Sequence, residues 1–189
     1  MKLLFGILLC LGNLLTYSQK INNQFELHIR KTTEPVIIDG AMKDAAWQQA
    51  ETAGSFFMVL PMDTSRARVN TEVKMTYDKE NLYIIAICHL PKEKTPYMVE
   101  SLRRDFNFGK NDNFIFFLDP FNDLTNGYTF GANAAGAQWD GTLYEGGKAD
   151  LAWDNKWVSV VENYDDKWIF EAAIPFKTIR YKKGITQWG

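Results

Sequence analysis

Histidine and cysteine are scarce, with two of each in 189 residues. Two cysteines cannot staple a small scaffold or build a Cys-rich zinc site. His28 and His89 stand alone, without a His-x-x-x-His or Cys-x-x-Cys partner. There is no basic block either: 21 Lys+Arg face 23 Asp+Glu, for a formal charge of −2. That argues against a nucleic-acid binder, whose affinity rests on clustered cations. No Gly-x-Ser-x-Gly elbow occurs. Gly141–Lys148 imitates a P-loop only superficially, because its Gly-Lys pair is out of register and Ala149 stands where Mg²⁺ would need a hydroxyl. No catalytic triad is visible, and no catalytic residue is assigned. No linker rich in Pro or Ser, no repeat and no low-complexity tract divides the chain, so one domain is expected. What remains is 46% hydrophobic and 14% aromatic, ample for a packed core.

The N-terminus reads as an export signal. Lys2 precedes an apolar run, Leu3–Leu15, interrupted only by Asn13. The run is short of the ~20 residues that span a bilayer but suits a secretory segment. Thr16-Tyr17-Ser18 offers small residues at the −3 and −1 positions, so residues 1–18 are expected to be cleaved. The protein would then be exported, to the periplasm, outer membrane or cell surface. Leu9 sits where a lipid-attachment motif before Cys10 would want Gly or Ala, which argues against lipidation. Cleavage leaves Cys88 alone. It lies in the apolar run Ile84–Cys88, as a buried filler rather than a reactive thiol.

Period-2 alternation dominates the rest. Residues 19–32 form a lead-in, in which Phe25, Leu27 and Ile29 alternate with polar neighbours as a strand. Val73, Met75 and Tyr77 alternate likewise, then turn at Asp78–Asn81 into the doubly apolar Leu82–Leu90. Asn113–Leu118 is another strand, followed by Tyr128–Asn133 and Ala137–Tyr144. Trp157–Val161 and Lys167–Ile174 frame a hairpin turn at Asn163–Asp166, and Pro175 ends its second arm. Only Ala41–Ala50 and Thr95–Arg104 read as helical. The expected fold is all-β: an antiparallel, jelly-roll-like β-sandwich over residues 33–189 with one or two short helices.

The loops carry many carboxylates, among them Asp105, Asp112, Asp119, Asp123, Asp140 and Asp154. A glycosidase pair needs a separation that sequence does not show, and loop Asp is usually turn chemistry. Oxygen ligands of this kind also suit Ca²⁺, although no EF-hand spacing occurs. The aromatics say more. Trp47, Trp157 and Trp168 lie within regular elements and read as core. Trp139, Trp153, Tyr144, Phe106 and Phe108 lie in or beside loops with Gly, Asp and Asn. Such rings can stack on pyranose faces while polar neighbours take the hydroxyls, or can serve a protein interface.

Pro35-Val36-Ile37-Ile38-Asp39-Gly40, with Asp44 and Trp47 following, resembles the family 9 carbohydrate-binding modules. The likeness continues through Val73–Leu90, Asn111–Asp119 and Trp168–Phe176. Phe121-Asn122-Asp123 and Asn133–Asp140 are similar to a subgroup at the N-terminus of large Gram-negative envelope proteins with an uncharacterised β-rich C-terminal region. The resemblance implies a β-sandwich that binds a polysaccharide or oligosaccharide, a role in xylan- or cellulose-type polysaccharide catabolism, and structural calcium in some members. It implies no catalysis by the module itself, though members accompany hydrolases of O-glycosyl bonds. Sugar-binding members clamp the ligand between two tryptophans. The first position here reads Phe106-Asn107-Phe108-Gly109, and the second would follow the strand that Gln187-Trp188-Gly189 opens, so the sandwich is expected to be truncated at that strand. The expected ligand site is Trp139 and Tyr144 with Phe108 on a facing loop, and Asp112, Asp140 and Arg104 as polar contacts. The competing readings are an interaction domain that has kept the sandwich and lost the sugar, a glycosidase, and a haem-binding sandwich. The last requires inward axial ligands, whereas His28 alternates outward.

Overall fold

A computed structural model describes residues 25–60, 65–91 and 96–189. The expected signal segment, its Cys10 and the start of the lead-in lie outside the described residues. The described residues form ten strands and one α-helix: β1 (Arg30–Lys31), α1 (Ala45–Gln49), β2 (Thr52–Ala53), β3 (Thr71–Tyr77), β4 (Asn81–His89), β5 (Asn113–Leu118), β6 (Gly127–Asn133), β7 (Gln138–Tyr144), β8 (Lys148–Asp150), β9 (Val158–Asn163) and β10 (Lys167–Pro175). They form two sheets, one ordered β1-β3-β4-β10-β9 with β2 also on β3, the other β5-β6-β7-β8. Every pairing is antiparallel except β1 with β3. The all-β sandwich is therefore the observed architecture.

Alternation explains the layers. Val73, Leu82, Ile84, Ala86, Cys88, Phe170, Ala172 and Ile174 of the first sheet meet Leu118, Tyr128, Phe130 and Ala132 of the second in one apolar core. Their neighbours on the same strands, Tyr83, Ile85, Ile87, Ile169 and Ala173, face the other way and are covered by Trp47, Val36, Ile38 and Ala50. β4 and β10 are apolar on both faces because both faces are covered. Trp157 and Trp168 are core, as expected, and Trp157 meets Phe130 edge-to-face at 5.4 Å. Cys88 is buried in the same core, and burial pushes its thiol up to about 12.

One carboxylate fastens the covering layer. Glu171, fully buried on β10, accepts from the Trp47 indole N–H at 2.8 Å and from the backbone N–H groups of Asp39 and Gly40 at 2.9 and 2.8 Å. Burial raises its pKa, and the three donors oppose the rise. Gly40 has φ +73°, and a Cβ there would lie 2.5 Å from Glu162 Cγ, so glycine is required. Lys74 closes the far end of α1 by donating to the carbonyls of Trp47 and Ala50.

Three local expectations are corrected. The strand read at Phe25–Arg30 is reduced to Arg30–Lys31, and Phe25 and Ile29 are exposed. β2 already occupies β3 at Val73 and Lys74, which leaves only Thr76 and Tyr77 for β1. The helix read at Ala41–Ala50 shortens to five residues. No helix forms within 96–104, where Val99 bridges Asn111 instead. The Asn111 and Asp112 side chains accept the N–H groups of Met98, Glu100 and Ser101, and so outcompete helical bonding.

At the other end of β5, Asp119 exchanges two backbone hydrogen bonds with Gly189, at 2.7 and 2.9 Å. Residues 187–189 thus lie beside the end of β5 without forming a strand, and Trp188 packs against Phe176 and Tyr181. Among the described residues no helix is long and apolar enough to cross a membrane.

Candidate functional site

The segment 97–112 caps the end of the second sheet where β5 begins and β6 ends. Two buried asparagines fix it. Asn111 accepts from Glu100 and Ser101 and donates to the Asn107 carbonyl at 2.9 Å. Asn133 donates to the Ser101 carbonyl at 2.7 Å while its own oxygen holds the Ala135 and Ala137 N–H groups. Asp112 completes the clasp, donating its backbone N–H to the Met98 carbonyl and accepting the Met98 N–H on its carboxylate. Sequence reasoning missed both asparagines. Their signal was present, since Asn at the mouth of an apolar strand needs a buried partner.

On this braced segment stand three exposed apolar side chains, Met98, Leu102 and Phe108, the last 65% exposed. Phe108 opens a single 3₁₀ turn that Asn107 caps through the Gly109 N–H, and its carbonyl is held by Asn113. Glu100 and Lys110 pair at 3.2 Å beside it. The arrangement is a fixed ring with carboxylate, amine and amide groups nearby, a surface able to meet a sugar face and its hydroxyls.

Trp139 is not such a ring. It is 5% exposed, on the outer face of β7, paired with Gly131 of β6. Its indole N–H is buried without a partner. Gly131 is obligatory, because a Cβ there would fall 2.2 Å from the Phe114 carbonyl oxygen. Phe106 is also buried, and half-buried Trp153 packs on Tyr128 at 5.1 Å inside the core. The glycines around Trp139 mark close backbone approach rather than an open loop.

Arg104 and Asp140 come together, but as an internal clasp. The guanidinium donates to the fully buried Asp140 carboxylate and to Gln138 Oε1 at 2.8 Å. Asp140 also accepts the Asn155 N–H at 2.9 Å, and Asn155 reaches Thr178. Gln138 in turn donates to Ser159 on β9 at 3.0 Å, so this polar seam bridges the two sheets. Arg104 Nε lies 2.8 Å from Asp154 but is not aligned for a hydrogen bond, so that contact with an exposed carboxylate is a weak coulombic one. Burial raises the pKa of Asp140 and Asp105.

Tyr144 is half-exposed at the opposite end of β7. Six strand residues, roughly 20 Å, separate it from Gln138, whose end of the sheet carries the Phe108 segment. The six expected residues therefore do not form one site: Phe108 and Asp112 share the capping segment, Arg104 and Asp140 sit behind it, Trp139 is buried, and Tyr144 stands apart.

The described residues offer no carboxylate cage for the calcium that the resemblance implies. Among them no group of three or more His, Cys, Asp or Glu side chains converges. Asp119 spends its oxygens on the N–H groups of Phe121, Asp123 and Leu124, and Asp123 spends its own on Thr125 and Asn126.

Two sheets packed face to face through one apolar core make the fold a β-sandwich. The chain belongs to the family described as carbohydrate family 9 binding domain-like, whose profile matches residues 38–189. Among solved structures it is similar to a family 9 carbohydrate-binding module from Caldicellulosiruptor kristjanssonii in complex with glucose, with a TM-score of 0.52 and 16% identity over 79% of this chain and 69% of that one. A cellotriose complex from the same organism gives the same score and identity, covering 79% and 66%. No curated protein matches the chain.

Proposed function

We propose that this protein is a non-catalytic carbohydrate-binding module acting outside the cytoplasm in the breakdown of xylan- or cellulose-type polysaccharides. We place it in the Gram-negative envelope beside a β-rich partner region. Family membership supports sugar binding, and the apolar run after Lys2 supports export. The observation that carries the site is Phe108, an exposed ring on a segment whose backbone is locked by Asn111 and Asn133. A locked segment loses little entropy when a ligand arrives. Asp112, Glu100 and Lys110 supply polar contacts around the ring. With one ring instead of two, affinity is weak.

Titration calorimetry with cello- and xylo-oligosaccharides tests this, using the parent and Phe108→Ala. A stacked ring contributes about 1–2 kcal/mol, so the variant should bind about 5- to 30-fold more weakly with an unchanged melting temperature. Equal affinity in the two proteins would refute the site. Absence of binding in the parent would favour the interaction-domain reading, which the exposed Leu102 and Met98 beside Phe108 support.

A further inference from the structure

A hollow lined by two arginines lies far from Phe108 in sequence and on the other sheet's margin. Between β2 and β3 the chain makes a ribbon in which Phe57 bridges Arg66, with backbone bonds from Met58 to Ser65 and from Ala67 to Phe56. At its base, Ser55 adopts φ +56°, a conformation that a non-glycine residue takes only under constraint. The Arg66 guanidinium supplies that constraint by donating to the Ser55 carbonyl while lying over the Phe57 ring, 4.0 Å from its centroid. The resulting hollow, about 330 Å³, is lined by Ser55, Phe56, Arg66, Arg68 and Asn70 among others.

Among the described residues its lining holds two arginines and no carboxylate. Among the described residues neither arginine has a carboxylate within ion-pair reach, and Arg68 makes no side-chain hydrogen bond. Two arginines lining one opening, on a chain of net charge −2, favour an anion, and planar forks favour a carboxylate. The other lining groups favour more than a bare ion. Phe56 is 42% exposed and offers an apolar ring edge. Asn70 commits its amide N–H to Glu72 at 3.1 Å, which leaves its side-chain oxygen to accept from a hydroxyl. Glu72 lies beyond Asn70 and repels a carboxylate from that side, which directs it toward the arginines.

We propose that this hollow is a second binding site, for a carboxylate-bearing sugar: a uronate unit on the glycan that the module engages. The proposal rests on the carbohydrate-binding reading and deepens it, by assigning a preference for acidic over neutral chains. Phe108 meets a neutral stretch of the chain, and Arg66 and Arg68 select its charged substituent or a separate acidic chain.

Calorimetry on the full chain with a glucuronate-substituted xylo-oligosaccharide, the unsubstituted one, an oligogalacturonate and a sulfated galactan oligosaccharide tests this. The uronate-bearing ligands should bind about tenfold more tightly than the neutral one, and raising salt from about 20 to about 300 mM should remove most of that preference. Arg68→Gln should abolish the preference and leave neutral binding and the melting temperature unchanged, since among the described residues Arg68 makes no side-chain hydrogen bond or ion pair. Phe108→Ala should weaken neutral binding and keep the preference. Equal affinity for neutral and acidic chains overturns this site while leaving the sugar-binding reading standing. Sulfated chains binding as tightly as uronates also overturn it, as general anion attraction. Acidic binding that Arg68→Gln removes, with no neutral binding, supports this site and overturns the one at Phe108. No binding of any chain overturns both.

Discussion

Replacing Arg104 by methionine separates a structural guanidinium from a ligand contact. Asp140 is fully buried, and its carboxylate has two partners, the Arg104 guanidinium and the Asn155 N–H. Methionine keeps the apolar stem and removes the charge, leaving an ionised carboxylate inside the sandwich with one donor. Breaking a buried pair in this way costs about 3–5 kcal/mol. The Arg104 side chain is 33% exposed, so water re-enters, and the low end, about 3 kcal/mol, is the expected loss near neutral pH. For a chain of this size that is about 6–12 °C in melting temperature.

Arg104 lowers the pKa of both Asp140 and its neighbour Asp105, so the deficit should depend on pH, and Asp140→Asn isolates the share of Asp140. Burial holds Asp140 above its ordinary carboxylate range when folded. Between the ordinary and the raised value the folded state therefore binds more protons than the unfolded one. Stability from this group falls as pH rises through that window and is lowest above it. Removing Arg104 takes away an influence that lowers the Asp140 pKa, so the window widens upward. The variant's deficit should be smaller at about pH 5 than at about pH 8. Asp39, Asp78 and Asp123, whose pKa values are lowered, titrate alike in parent and variant and cancel in the difference. Adding Asp140→Asn to Arg104→Met should restore at least half the loss at pH 8 by removing the stranded charge. Circular-dichroism melts of the parent, both single variants and the double variant measure the cycle. A pH-independent deficit without rescue would refute the clasp. Unchanged melting with weakened sugar binding would return Arg104 to the ligand site.

Gly131→Ala should lose about 2–3 kcal/mol by urea unfolding, since its Cβ would meet the Phe114 carbonyl at 2.2 Å. Gly109→Ala, where the nearest atom is 3.4 Å away, should stay within about 0.5 kcal/mol. Trp139→Ala should cost about 3–5 kcal/mol, whereas Trp139→Phe keeps most of the packing, loses only an unpartnered N–H, and should cost far less. Cys88 should resist a thiol reagent at about pH 8 in the folded protein and react in urea, because its thiol is both buried and held up to about 12; rapid labelling without denaturant would contradict its place in the core.

The strands that build the core were legible because their pattern has a single physical cause. Val73, Met75 and Tyr77 alternate because one face of β3 meets the second sheet. Ile84 to Cys88 run unbroken because α1 and its approach cover the other face of β4. Where the pattern misled, a longer-range competitor decided the outcome. Phe25, Leu27 and Ile29 have strand periodicity, but β2 holds the edge they would need. The segment 96–104 has helical composition, but Asn111 and Asp112 take its N–H groups from further along the chain.

The site was harder for the same reason. Glycine beside tryptophan is read from sequence as an open loop, because glycine is the residue of turns. In a sheet the same glycine can mean that two backbones have closed to a distance no side chain permits. Gly127, Gly131 and Gly141 are all of the second kind, with Cβ positions 2.2–2.6 Å from a neighbouring carbonyl oxygen. A strand stripped of side chains leaves room for the ring on the next strand to sink, as Trp139 does opposite Gly131. Phe108 has no glycine of this sort across from it, and the asparagines that brace its backbone hold the segment up from the sheet end, so its ring stays in solvent. Exposure here is set by what lies opposite each aromatic, which only the register of β5, β6 and β7 reveals.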